Sequence, residues 1–173
     1  NLIIAHKKNE SFSRYISSLK LKNFQFNTKY KSVVNKKVSK FFIPVGWSFA
    51  ESDGVWSDGL FSEIIIQKIT FKKDKDYSLV LNLIPILNKS HSKINMRISF
   101  NSIYCSTILL EDANQFNNYS IIIPKKIISH SSESFVISFD FNDGVKPVND
   151  KKKNDARLLS AKINSFAIFE FKY

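Results

Sequence analysis

The densest group of side chains that could contact a ligand lies in residues 46–59, which we call the Trp loop. This segment holds both tryptophans of the chain, three of its four glycines and three carboxylates, but no basic residue. Indole faces cover the apolar C–H faces of a sugar ring, and carboxylates accept hydrogen bonds from its hydroxyls. The composition therefore predicts a carbohydrate site whose contacts come from Trp47, Glu51, Asp53, Trp56 and Asp58.

The same residues have other interpretations. Aspartates beside glycines are typical of turns, so the loop could be a structural corner in which Trp47 or Trp56 fills space between two sheets. Asp53 and Asp58 could offer oxygen ligands to calcium, the one cofactor that the sequence leaves open. Glu51 with Asp53 or Asp58 could also act as an acid–base pair on a glycosidic bond.

Other reactive groups are few and scattered. Cys105 is the single cysteine, which excludes an internal disulfide and a cysteine-based zinc site. His6, His91 and His130 lie far apart, without metal-ligand spacing. The chain also lacks a glycine-rich phosphate loop and a Gly-x-Ser-x-Gly elbow. We therefore assign no catalytic residue and expect no enzyme activity in this segment.

The apolar pattern after residue 40 is that of β-strands. Residues 94–100 alternate strictly between apolar and polar side chains, and residues 135–141 do the same. No helical pattern alternates with these runs, which argues against a parallel α/β sheet. The sequence predicts an all-β fold, an antiparallel jelly-roll-like β-sandwich. Its expected strands fall in 41–45, 60–71, 77–83, 94–100, 119–123, 135–141 and 163–171.

The basic character of the chain is concentrated in residues 1–40. They carry ten basic residues and one acidic residue, a net +9, whereas residues 41–173 carry 16 and 14, a net +2. We expect an N-terminal arm with a short helix over 10–21, then a linker over 27–40 that contributes one strand, and a domain boundary at residue 40. Such an arm suits an anionic membrane surface or polymer. Its aromatic residues are too sparsely interleaved with lysines to predict nucleic-acid binding.

Two segments carry a family resemblance. The Trp loop follows the order Gly46-Trp47-Ser48-x-x-Glu51-x-x-Gly54-x-Trp56-Ser57-x-Gly59, and near the end of the chain Pro147 precedes Asp155-x-Arg157-x-Leu159. Together they resemble the β-sandwich accessory domains, shaped like carbohydrate-binding modules, that accompany glycosyltransferases of bacterial cell-surface polysaccharides. The resemblance covers residues 41–173. It departs from the family where Ser160 replaces a glycine and where Asn101-Ser102 replaces an Asn-Gly turn.

The resemblance implies a non-catalytic domain that binds a glycan or positions a neighbouring catalytic domain of the same polypeptide. It also implies that the two segments meet, so we predict an ion pair of Arg157 with Glu51 or Asp155 that braces the Trp loop. Because the only methionine is Met96, we interpret the chain as part of a longer protein. We expect it in the cytoplasm, peripheral to the inner membrane. The alternative is a structural or oligomerisation domain whose basic arm docks on an anionic membrane or polymer.

Overall fold

Ten strands and one turn of helix form the computed structural model, which describes residues 21–31, 40–72, 74–128, 134–146 and 157–171. The elements are β1 Tyr30–Lys31, β2 Ile43–Val45, β3 Val55–Trp56, β4 Phe61–Ile66, β5 Tyr77–Pro85, β6 Ile94–Phe100, β7 Ile103–Leu110, β8 Asn117–Ile123, α1 Lys125–Ile128, β9 Phe135–Phe141 and β10 Ala161–Glu170. Within these ranges no helix has the length and apolar character that would let it cross a membrane.

The strands form two antiparallel five-stranded sheets. Sheet A has the order β1-β10-β5-β8, with β3 also paired to β10, and sheet B has the order β2-β4-β9-β6-β7. Among successive strands, only β6 and β7 stay in the same sheet, as a hairpin, and every other described connection crosses between sheets. The predicted all-β antiparallel sandwich is therefore confirmed.

The core lies between the sheets because alternate residues of each strand point inward. In β6, Ile94, Met96, Ile98 and Phe100 are fully buried while the residues between them are exposed or half-buried. Phe71 joins the two layers: its ring lies 4.8 Å from the ring of Tyr77 in sheet A and 4.8 Å from that of Phe135 in sheet B. Such edge-on aromatic contacts stabilise the core beyond simple area burial.

Residues 21–31 pack on the sandwich rather than standing apart from it. Leu21, Phe24 and Tyr30 are buried, and Tyr30 lies opposite Phe166 of β10. Strand β1 lies in the segment 27–40, for which the sequence predicts a linker that contributes one strand, and residues 32–39 of that segment lie outside the described residues. The helix predicted over 10–21 lies outside the described residues, apart from Leu21 itself. The packed structure thus begins before residue 41.

Strand β7 was not predicted. It follows β6 through a two-residue turn in which Asn101 and Ser102 both have positive φ, 49° and 67°. Two successive positive φ values are the geometry of a tight hairpin turn that matches the twist of its strands. The turn forms although serine stands where glycine is the preferred residue, so the departure at Asn101-Ser102 leaves the hairpin intact.

Candidate functional site

The Trp loop is held closed by its own backbone. Ser48 N donates to Trp56 O at 2.9 Å, and Asp58 N donates to Gly46 O at 2.9 Å. Gly46 has φ +72°, and a β-carbon there would collide with the carbonyl oxygen of Phe61. Glycine is therefore required at this entry to the loop, both for its positive φ and for the close approach of β4.

Trp47 packs against sheet B. Its indole Nε1 donates to Glu63 O at 2.8 Å, and its ring meets the ring of Phe139 edge-on, with centroids 5.7 Å apart. The half-buried indole thus uses its single donor and one ring edge to attach the loop to sheet B. This geometry is the one expected if Trp47 fills space in the structure instead of contacting a sugar.

The loop also contacts the start of β10, so the two segments of the resemblance meet in space. Gly59 N donates to Leu158 O at 2.7 Å, and Ser57 N donates to Ala161 O at 2.9 Å. The hydroxyl of Ser57 in turn accepts from the backbone N–H groups of Ser160 and Ala161, each at 3.1 Å. Ser57 is fully buried and joins the loop to sheet A.

Lys162, which no motif of the sequence pointed to, places its ammonium against the Trp loop. Its Nζ lies 2.6 Å from a carboxylate oxygen of Glu51, contacts the carboxylate of Asp53, and stands 5.4 Å from the centre of the Trp56 ring. Only 9% of the Lys162 side chain is exposed, against 46% for Glu51 and 52% for Asp53. A buried ammonium therefore links an indole and two half-exposed acids.

These contacts set the protonation of the cluster. Burial lowers the pKa of Lys162, but hydrogen bonds from its ammonium to Asp53 and Glu51, and their charges, more than offset this, so its pKa is raised. The hydrogen bond from Lys162 holds the pKa of Asp53 below its ordinary value. Lys162 is thus charged at neutral pH, and so is the Asp53 carboxylate.

The remaining predicted residues are placed differently. Asp58 is exposed, and its described contact is the backbone bond to Gly46. Asp155 lies outside the described residues, and the pairing of Arg157 with Glu51 or Asp155 stays a prediction. In the described ranges no three His, Cys, Asp or Glu side chains form a metal-binding group. The positive charge of Lys162 beside Asp53 would also oppose a calcium ion there.

A hydrogen-bonded pair of His91 and Asp143 lies elsewhere, at the loops that follow β5 and β9. Nδ1 of His91 is hydrogen-bonded to the carboxylate of Asp143, and this bond lowers the pKa of Asp143. Asn88 holds the His91 loop by accepting from its backbone N–H at 2.8 Å. Both side chains of the pair are only partly covered. Their hydrogen bond joins the loop after β5 to the loop after β9.

A surface of mixed polar and apolar side chains covers the outward side of sheet A. We call it the sheet-A face and define it by the outward side chains of β5, β8 and β10, namely Ser78, Val80, Asn82, Ile84, Asn118, Ser120, Ile122, Ser165, Ala167 and Phe169. Asn82 Nδ2 donates to Asn118 Oδ1 at 2.9 Å, and the hydroxyls of Ser78 and Ser120 are 2.6 Å apart. Two rows of amides and hydroxyls therefore cross the strands.

The sheet-A face has an open, shallow groove. Small side chains along its strands leave a groove of about 670 Å³ beside Phe169 and Phe171, and a second hollow of about 190 Å³ that runs on from Phe169 towards Lys29. Both aromatic rings are partly exposed at the groove. In the register of the sheet, Lys162 lies opposite Ile84 on one side and Trp56 on the other, so the Trp56–Lys162 cluster continues the same face.

Comparison with known proteins gives the fold but no family. No protein-family model matches the sequence, and no curated protein matches it. Among solved structures, the GH26-CBM35 β-(1,4)-mannanase of Podospora anserina superposes with a TM-score of 0.50 at 12% identity, over 84% of this chain and 28% of that one. A ruminal GH26 endo-β-1,4-mannanase superposes with a TM-score of 0.48 at 11% identity, over 88% of this chain and 27% of that one.

A third structure is of similar size to this chain. CsCBM6-3 from Clostridium stercorarium, solved in complex with cellobiose, superposes with a TM-score of 0.42 at 10% identity, over 86% of this chain and 93% of that one. This chain spans less than a third of the length of either mannanase. At 12% identity, the likeness to the Podospora anserina enzyme shows a shared fold and nothing further.

Proposed function

We propose that this chain is a non-catalytic carbohydrate-binding domain that holds a glycan on its sheet-A face. The observation that carries the proposal is the pairing of the Asn82–Asn118 and Ser78–Ser120 rows with the partly exposed ring of Phe169 along a groove. Amides and hydroxyls both donate and accept hydrogen bonds, as sugar hydroxyls do, and an aromatic ring covers a sugar C–H face.

Glu51 and Asp53 are poor candidates for glycosidase chemistry. A glycosidase needs one carboxyl group with a raised pKa that can donate a proton at neutral pH. Lys162 instead lowers the pKa of Asp53 and also holds Glu51. These contacts favour binding over hydrolysis. The cluster of Trp56, Lys162, Glu51 and Asp53 lies at one end of the sheet-A face.

The test is calorimetric titration of the chain with bacterial surface oligosaccharides, with cello- and manno-oligosaccharides as further probes. For a bound glycan, Phe169→Ala should weaken binding by about tenfold, which corresponds to about 1.4 kcal/mol. Phe61→Ala is the matched control, because Phe61 is an exposed phenylalanine on sheet B, and it should bind like the wild type. Loss of binding in Trp56→Ala alone would move the site to the Trp loop, and no binding by any probe would refute the function.

We also propose that this domain is attached to a catalytic domain in a longer polypeptide. The resemblance of the Trp loop and of Asp155-x-Arg157-x-Leu159 supports attachment to a glycosyltransferase that builds a bacterial capsule or lipopolysaccharide. In that setting the domain would hold the growing polymer near the catalytic domain. Reading the gene on both sides of this segment tests the proposal, since a neighbouring catalytic domain of another class would contradict it.

The charge of residues 1–40 favours a second function, docking on an anionic surface. We propose that the arm, with its net +9, binds anionic lipid or polymer while the sandwich holds the glycan. Vesicles that contain an anionic lipid should co-sediment with the chain, and neutral vesicles should not. Replacing the basic side chains of the first 20 residues, Lys7, Lys8, Arg14 and Lys20, by glutamine should release it.

A further inference from the structure

The two sides of the sandwich differ in how their edge strands are protected. On one side lie β1, with two residues, and β2, with three residues that include Pro44. On the other side lie β7, with eight residues, and β8, with seven. Short strands, prolines and lysines are the usual devices that stop a sheet edge from pairing with another chain. The β1–β2 side has all three, since β1 ends at Lys31.

Strand β7 lacks these three devices, although a bulge, which also disrupts edge pairing, interrupts it. Residues 103–110 contain no charged residue, no proline and no glycine, and β7 is the last strand of sheet B. Tyr104 and Leu109 are exposed apolar side chains on it. A shift in register places a bulge at Cys105, so the regular part of the edge runs over 106–110. Among the described residues, its backbone pairs only with β6.

We propose that β7 is a self-association edge, where a second copy of this chain pairs antiparallel to it and extends sheet B across two protomers. An antiparallel strand is complementary to itself about a two-fold axis, so each copy offers the other the same N–H and C=O groups. Because β7 is uncharged, self-pairing brings no like charges opposite each other. Residues 41–173, which include β7, carry a net charge of only +2, so this part of the chain opposes association weakly.

The neighbouring edge is the weaker candidate. In β8, Ile122 O already accepts from Cys105 Sγ at 3.2 Å, which ties this strand to β7 of the same chain. The outward side chains of β8 also belong to the sheet-A face. Pairing through β7 leaves that face open in both copies, and a dimer would present two such faces.

The experiment measures the mass of the chain by sedimentation from low micromolar to near-millimolar concentration. The wild type should approach twice the chain mass of 20.0 kDa. Leu109→Lys and Thr107→Lys each place a charge on the regular edge, and each should raise the dimer dissociation constant at least about tenfold. Circular dichroism checks that each variant is folded, and either variant alone suffices if the other fails to fold.

The control is Leu60→Lys, because Leu60 is 39% exposed against 43% for Leu109 but lies outside β7. It should dimerise like the wild type. The proposal is overturned if the wild type stays at 20.0 kDa throughout, if both β7 variants still dimerise, or if Leu60→Lys is as monomeric as they are. It is also overturned if Ile122→Lys alone abolishes the dimer, which would assign the interface to β8.

Discussion

The hydroxyl of Ser57 should contribute more to stability than any other single polar group of the Trp loop. It is fully buried and accepts from the N–H groups of Ser160 and Ala161, each at 3.1 Å, and both of these residues are also fully buried. Ser57→Ala removes this acceptor and leaves two buried donors without it. A buried donor that loses its partner costs about 1–3 kcal/mol, so we expect unfolding to become easier by about 2–4 kcal/mol.

Ser62→Ala is the matched control for this prediction. Ser62 is fully buried in the neighbouring strand β4, and its hydroxyl donates to Gly46 O at 2.6 Å. The same carbonyl also accepts from Asp58 N at 2.9 Å, so it keeps a partner in the variant. We therefore expect Ser62→Ala to cost about 1 kcal/mol or less.

Thermal and urea unfolding would separate the two variants. For a chain of this size, 1 kcal/mol shifts Tm by about 2–4 °C, so Ser57→Ala should lower Tm by about 5–15 °C. Equal losses in Ser57→Ala and Ser62→Ala would refute the reasoning, because the argument depends on the number of donors left unpaired. A loss in Ser57→Ala below about 1 kcal/mol would show that the two N–H groups find other acceptors.

Further predictions concern the Lys162 cluster and the loop glycines. Lys162→Met keeps the stem but removes the ammonium that Glu51 and Asp53 share, and because both acids are half-exposed the loss in unfolding free energy should be about 1–2 kcal/mol at neutral pH. The folded pKa of Asp53 is lowered, so its stabilising effect is fully present above the ordinary aspartate pKa of about 4 and is lost below it, as the pH falls through the lower folded pKa. The difference in Tm between wild type and variant should shrink over that range, and a difference independent of pH would contradict this. Gly46→Ala should cost more than about 2 kcal/mol, because a positive φ is combined with a clash against Phe61 O. Gly59→Ala, with φ +95° and nothing within 4 Å of its β-carbon, should cost less, and equal unfolding midpoints in the two variants would contradict the steric argument.

The strands that the sequence predicted well are those with one buried face. Residues 94–100 and 135–141 were predicted with the observed bounds of β6 and β9, because their alternation reports which side of the strand meets the core. Strand β7 was missed because its sequence lacks such an alternation. It lies at an edge, and only Leu110 is fully buried in it, so its sequence shows no alternation.

The candidate site was less accessible to sequence reasoning, because its geometry depends on distant pairings. The composition of the Trp loop drew attention to it, but Lys162, between Ala161 and Ile163, was overlooked as a partner of Glu51 and Asp53. A lysine within an apolar strand was the available signal, since it must point outward and find a partner. The Asn82–Asn118 row depends on the register of β5 with β8, and neither strand encodes that register alone.

The position of β10 in sheet A has a consequence for biosynthesis. This strand pairs with β1, β3 and β5, yet residues 161–170 leave the ribosome after every other strand of the sheet. Until then, within the described part of the chain, β1 and β3 have no paired strand in sheet A, and the apolar inner row of β5 has one neighbour instead of two. Sheet A therefore cannot assemble strand by strand during translation, so we expect folding to be slow and to follow synthesis of residue 170. A nascent chain that stops before β10 would be a target for chaperones rather than a smaller version of the same domain.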